Sequence, residues 1–168
     1  STSSSTMTSK DERPMLVRAS YDGNIDAIKK LLRAKNVDVN ISCSKDGATP
    51  LLYASMKGHK DIVELLLNVN NIDVNKPEKN GITPLHIASQ NGHKDIVELL
   101  LNMKNIDVNK PEKNGATPLY VALTNGHTDI AELLLNMKNI DVNESDKNEA
   151  TPLYIASADG HKDIVELL

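Results

Sequence analysis

The chain has no Phe, no Trp, one Cys and four Tyr in 168 residues. Without large aromatic anchors, a core must be built from Leu, Ile, Val and Ala, which suits thin, repeated helix packing better than a thick sandwich or barrel. With Cys43 alone, no intrachain disulfide can form, which points to a reducing, intracellular and cytoplasmic setting. No apolar run is long enough to cross a bilayer, and residues 1–9 lack the apolar stretch of a signal peptide, so no membrane partner is expected. A net charge of −4 argues against a general phosphate-backbone binder and hence against nucleic acid. The Ser/Thr-rich residues 1–10 are expected to be a disordered tail, followed by one domain over 11–168.

What the chain has in abundance is repetition. Thr-Pro-Leu begins at Thr49, Thr83, Thr117 and Thr151, a constant step of 34 residues. Gly-His recurs on the same step at Gly58, Gly92, Gly126 and Gly160, and Asp-Val-Asn recurs at Asp38, Asp73, Asp107 and Asp141. Residues 59–81 and 93–115 differ only at Val69/Met103 and Asn70/Lys104. Identity over such a length means tandem duplication, and a period of this size means a stacked array.

The chemistry of one unit can be read locally. Thr83 is a good N-cap and Pro84 occupies the first helical position. Gly92 closes that short helix, because glycine can adopt positive φ. A second helix is expected over roughly 93–102, with Asp95 in its first turn where the helix dipole favours an anion. Ile96, Val97, Leu99, Leu100 and Leu101 make it apolar around much of its circumference, so it needs neighbours on several sides. Asn105 is expected to take a left-handed stop. Ile106 to Asn109 is then extended, and residues 110–115 form a turn-rich loop. No such unit can cover its own apolar face, so stacking must supply the rest.

The run from Gly81 through Thr83-Pro84-Leu85-His86 and Gly92-His93 to Leu101, closing on Asp107-Val108-Asn109, resembles the ankyrin repeat. The resemblance covers about residues 14–168 and implies an all-α solenoid of about five stacked antiparallel helix pairs with short hairpin loops. The units fall at about 14–46, 47–80, 81–114, 115–148 and 149–168. It also implies a protein-protein interaction scaffold or adaptor, expected to be a monomer, that binds a partner protein through a concave face of hairpin tips and first helices. A recruitment module of a larger enzyme or effector, with its catalytic domain outside this chain, is the alternative.

Transferred one position at a time, the family's binding surface falls on two rows. The hairpin row is Lys45-Asp46, Lys79-Asn80 with Ile82, Lys113-Asn114 and Lys147-Asn148. The first-helix row is Tyr21-Asp22, Met56-Lys57, Gln90-Asn91, Thr124-Asn125 and Ala158-Asp159. The ladder of lysines at 45, 79, 113 and 147 would favour an acidic or phosphorylated segment, although duplicated loops can also simply keep solvated lysines. Tyr21 and Met56 are the expected anchors.

Several departures from the family pattern carry expectations. The period exceeds the usual 33, and Asn71, Asn105 and Asn139 stand where the family has glycine. A longer second helix or a wider turn should result. Glu149 replaces the loop glycine of Gly47, Gly81 and Gly115, so strain or another turn is expected there. The first unit has Asn24 in place of His and a charged second helix (Lys29, Lys30, Arg33), as in an N-terminal cap. The last unit stops at Leu168 inside its second helix, which reads as an array cut from a longer one.

Chemistry-bearing residues point to structure. Equivalent histidines (His59, His93, His127, His161) should lie about 8–10 Å apart, too far for one zinc ion, so hydrogen bonding near the second-helix start is expected. His86 should bond a neighbouring loop or Thr83. The hairpin asparagine resembles the one that asparaginyl hydroxylases modify in this family, but its spacing to the leucines is altered. No phosphate loop or catalytic motif is present, and no cofactor, metal or catalytic residue is expected.

Overall fold

The computed structural model describes residues 14–34 and 37–168. The tail at residues 1–10 lies outside them. Among the described residues ten helices follow one another in pairs: α1 (Met15–Asp22) with α2 (Ile25–Leu32), α3 (Pro50–Lys57) with α4 (Lys60–Leu67), α5 (Pro84–Gln90) with α6 (Lys94–Leu101), α7 (Pro118–Thr124) with α8 (Thr128–Leu135), and α9 (Pro152–Ala158) with α10 (Lys162–Leu167). First helices pack on first helices and second on second, each pair touching the next. The described residues contain no strand.

The first helices begin where the sequence says. Thr49, Thr83, Thr117 and Thr151 accept the backbone N–H three residues on, at 3.1, 3.2, 3.3 and 3.2 Å, with proline next in line. Gly58, Gly92, Gly126 and Gly160 all sit at φ +74° and reverse the chain. Between the two helix layers lies the main core, with Leu51, Leu85, Leu119, Ile62, Ile96 and Ile130 among its members. A second cluster of Val17, Cys43, Ala48, Leu52 and Tyr53, edged by Tyr21, Met56 and Ile87, lies between the first helices and the base of a hairpin.

The added residue widens the turn rather than lengthening the helix. The second helix ends at Leu101, and Asn102 stays right-handed at φ −76°. Two turns follow, closed by Met103 N–H to the Leu100 carbonyl (3.0 Å) and Ile106 N–H to the Met103 carbonyl (3.2 Å). The left-handed stop expected at Asn105 is therefore wrong: among the described non-glycine residues only Glu149 has positive φ, at 64°. Glu149 thus keeps the glycine turn, closed by its N–H to the Asp146 carbonyl at 3.0 Å, at the steric cost of a Cβ in the left-handed region. On α2, Asn24 caps its own helix by accepting Ala27 N–H at 3.0 Å, while Lys29 and Lys30 are exposed.

Candidate protein-interaction surface

The hairpins are closed by cross-hairpin bonds, Cys43 N–H to Ala48, Glu78 to Ile82, Glu112 to Ala116 and Asp146 to Ala150, at 2.9–3.1 Å. They are also tied to one another. The N–H of Lys79 donates to the Asp46 carbonyl (2.8 Å), that of Lys113 to Asn80 (2.9 Å), and that of Lys147 to Asn114 (2.8 Å). The hairpin row is therefore tied into one continuous edge by a backbone bond between each hairpin and the next.

Inside each hairpin a carboxylate is consumed by the turn. Asp46 accepts Ala48 N–H at 2.9 Å and the Tyr53 hydroxyl at 2.5 Å. Burial would raise its pKa, but these bonds and the Cys43 thiol together hold it below the usual value. Glu78 accepts the N–H groups of Asn80 (2.6 Å) and Ile82 (3.2 Å), and Glu112 those of Asn114 (2.7 Å) and Ala116 (3.4 Å). Asp146 accepts from Ala150 and Asn148 N–H, both at 2.9 Å, and from the Tyr120 hydroxyl at 3.2 Å. The Ala150 N–H leads in lowering its pKa. Burial, then the Asp146 partner, raises that of Tyr120.

The lysines divide. Lys79 is exposed, but its ammonium already donates to the carbonyls of Ser44 (2.9 Å) and Lys45 (2.7 Å) in the preceding hairpin. The four lysines of the row are therefore not held alike. Lys45, Lys113 and Lys147 are exposed, and among the described residues no hydrogen bond or ion pair holds their ammonium groups.

The first-helix row divides likewise. Tyr21 packs edge-on against Tyr53, centroids 5.3 Å apart, and carries the Lys57 ammonium 4.4 Å above its ring. Met56 and Ile82 are half-buried and Gln90 is exposed. Asn91 donates to the Met56 carbonyl at 3.0 Å and Asn125 to Val121 at 2.8 Å. Thr124 bonds back to the Tyr120 carbonyl at 3.1 Å. Asn148 donates to Asp146 at 3.0 Å, and Asp22 lies 3.5 Å from Arg18. Asp159 is exposed.

The histidines knit successive pairs together. None caps its own helix through its side chain. The Nε2 atoms of His59, His93 and His127 instead reach back to the carbonyls of Tyr21, Met56 and Gln90, at 3.2, 3.2 and 3.1 Å. Their rings lie so close to Gly23, Gly58 and Gly92 that a Cβ there would come within 2.6–2.8 Å of the ring. His86 is 1% exposed and faces the neighbouring hairpin, as expected: Thr83 takes its backbone N–H, and the ring lies near the Ala116 backbone, although neither ring nitrogen makes a hydrogen bond of good geometry. Burial lowers its pKa to about 4, against opposing pulls from the Ala116 backbone and Glu112.

Local reading missed an asparagine ladder along the turns. The Asn40, Asn75 and Asn109 amides donate to the carbonyls of Asn71, Asn105 and Asn139 (2.7, 2.6 and 2.6 Å). Their Oδ1 atoms accept the N–H groups of Asp73, Asp107 and Asp141 (2.8, 2.9 and 2.8 Å). Both ends of each side chain are thus structural. Among the described residues no group of three His, Cys, Asp or Glu could hold a metal ion, and no helix is long and apolar enough to cross a membrane.

The architecture defines a helix-pair solenoid with a hairpin edge. The family model for ankyrin repeats (3 copies) matches residues 16–112 and again 104–168. The chain belongs to the ankyrin-repeat family, with five helix pairs in its described part. Ankyrin repeats are in general non-catalytic protein-protein interaction modules. Comparison with curated proteins returns no match.

Proposed function

We propose that this chain is a scaffold or adaptor that holds an acidic or phosphorylated segment of a partner protein in the concave trough between the hairpin edge and the first helices. The observation that carries this reading is the imbalance along the edge. The carboxylates of Asp46, Glu78, Glu112 and Asp146 are turned into their own hairpins, whereas Lys45, Lys113 and Lys147 project unpaired. The edge carries both signs, with Glu149 exposed beside Lys147, but its unengaged ammonium groups at 45, 113 and 147 are open to an anionic segment, which takes its register from their spacing. Tyr21 and Met56 at one end supply the apolar anchor, since adaptable and aromatic side chains concentrate binding energy.

The test is affinity capture with the intact array beside a variant carrying Lys45→Glu, Lys113→Glu and Lys147→Glu, with cross-linking to map the segment bound. Loss of the captured protein and cross-links to acidic or phosphorylated stretches are expected. Equal capture by both arrays, or cross-links confined to α2, α4, α6, α8 and α10, would sink the reading.

A further inference from the structure

The trough has a floor that is regular over its last three first helices. Ile87, Val121 and Ile155 recur at 34-residue steps on α5, α7 and α9, and all three are half-buried. Repeats three to five thus carry one half-buried aliphatic side chain at this first-helix position, which forms the floor over that stretch, and a hairpin tip on the rim, whereas repeat two carries buried Tyr53 there. Stacked helices place such equivalent points about 8–10 Å apart.

We propose that the occupant of this trough is a polyproline II segment whose residues repeat in threes, one apolar toward the floor and one acidic toward the rim; this rests on the concave-trough reading above. Three physical comparisons select it. A polyproline II helix has 3 residues per turn and a rise of about 3.1 Å, so one face returns about every 9.3 Å, in step with the repeats. A β-strand returns the same face about every 6.7 Å and falls out of step within one repeat. It would also need open backbone groups for strand addition, and those of the hairpin edge are joined from Asp46 through Lys79, Asn80, Lys113, Asn114 and Lys147. Polyproline II makes no backbone hydrogen bonds of its own and requires none. An α-helix could meet successive repeats every seventh residue, but it drifts by about 20° per heptad.

The rim sets the acidic positions. Lys113 and Lys147 are neighbours with unengaged ammonium groups, so acidic residues three apart face them. The next position faces Lys79, whose ammonium is held by Ser44 and Lys45 carbonyls, and an acid there gains little.

Fluorescence anisotropy of labelled peptides on the full chain at low salt tests the register. The probes are (Val-Glu-Pro)4, its neutral counterpart (Val-Gln-Pro)4, the two-residue repeat (Val-Glu)6, and a helical peptide with Val and Glu at heptad spacing. The three-residue acidic peptide is expected to bind at least about tenfold more tightly than the others. Lys113→Gln and Lys147→Gln should each weaken it several-fold, and Lys79→Gln should leave it nearly unchanged. Circular dichroism and the melting temperature confirm that each variant is folded. Equal or tighter binding of the two-residue or heptad peptide overturns the register while leaving an acidic partner in place. Equal loss in the Lys79 and Lys113 variants overturns the assignment of the acidic positions. Binding by none of the acidic peptides, or equal binding of the neutral one, overturns this proposal and the acidic-partner reading together.

Discussion

The first three interfaces between helix pairs and the fourth are written in nearly the same residues, yet they are not built alike. Across the first three, a histidine reaches back to a carbonyl and lies against a glycine. Across the second and third, Lys60 meets Asp95 at 3.4 Å and Lys94 meets Asp129 at 3.7 Å. At the fourth, a Cβ on Gly126 would touch nothing within 4 Å, and Thr128 stands where those lysines stand. His161 and Asp163 are thereby left without the counterparts their predecessors have. On the outer side of the last pair, Leu153 and Tyr154 are 46% and 64% exposed, whereas Leu85 and His86 at the same repeat positions are 0% and 1% exposed. Near-identical repeats, then, need not carry equal coupling, because coupling in a solenoid is a property of neighbours and not of a unit.

The largest effect should come from truncating the repeated leucine. Leu85→Ala removes a fully buried side chain and should cost about 3 kcal/mol in urea denaturation. Leu153→Ala, at the equivalent exposed position, should cost under about 1 kcal/mol on the scale of area removed from water. Equal costs would erase the contrast between the interior and the last pair.

Almost as large is an effect visible only in acid. His86 is held neutral in the fold, its pKa lowered from 6.5 to about 4. The unfolded chain therefore binds a proton that the native state refuses between those values, and stability rises with pH there. The contribution is complete above about pH 6.5 and is lost as pH falls toward 4, by up to about 3 kcal/mol. Replacing the ring by the residue that repeat two carries, His86→Leu, should remove this component. Denaturation at pH 7 and at pH 4.5 checks it, since the carboxylates titrate alike in both proteins. An identical loss of stability in the two would refute it.

A smaller effect isolates the histidine contact itself. Gly92→Ala and Gly126→Ala impose the same strain, both at φ +74°, worth about 1 kcal/mol. Only the first brings a Cβ to 2.6 Å from the His127 ring. It should cost about 1 kcal/mol more, through loss of the bond to the Gln90 carbonyl. Equal melting temperatures would show that the clasp contributes nothing.

What was legible in the sequence was what a residue does to its own turn. The threonine caps, the prolines after them, the left-handed glycines and the strain at Glu149 all follow from chain-local chemistry. What was not legible spans one repeat. Asn75 serves carbonyl and amide groups at Asn105 and Asp107, and nothing in Asp-Val-Asn itself announces that. Asn105 was misread because a helix-ending asparagine suggests a left-handed stop, while the extra residue lets two right-handed turns do the work and aims its carbonyl at Asn75. The lysine column looked uniform because the letters are uniform. Lys79 differs from Lys113 only through the hairpin before it, where the carbonyls of Ser44 and Lys45 take its ammonium. At that level the candidate surface depends on packing that periodicity cannot rank.

The smallest effect decides what kind of weakness the fourth interface has. Thr128→Lys restores the residue found at Lys60 and Lys94, and Asp163 is the expected partner by repeat. An exposed pair of this kind is worth a few tenths of a kcal/mol and fades at high salt. A double-mutant cycle with Asp163→Asn, followed by hydrogen exchange in α9 and α10, should show a coupling of that size at low salt and none in 1 M salt. That result would mean the backbones of α8 and α10 stand as close as those of their predecessors, so that the interface lacks only a side chain. Zero coupling at low salt would mean instead that an exposed pair adds nothing measurable at this interface. The absent histidine contact at Gly126 would then be the difference that matters, and the last pair would open as a separate unit however its charges were arranged.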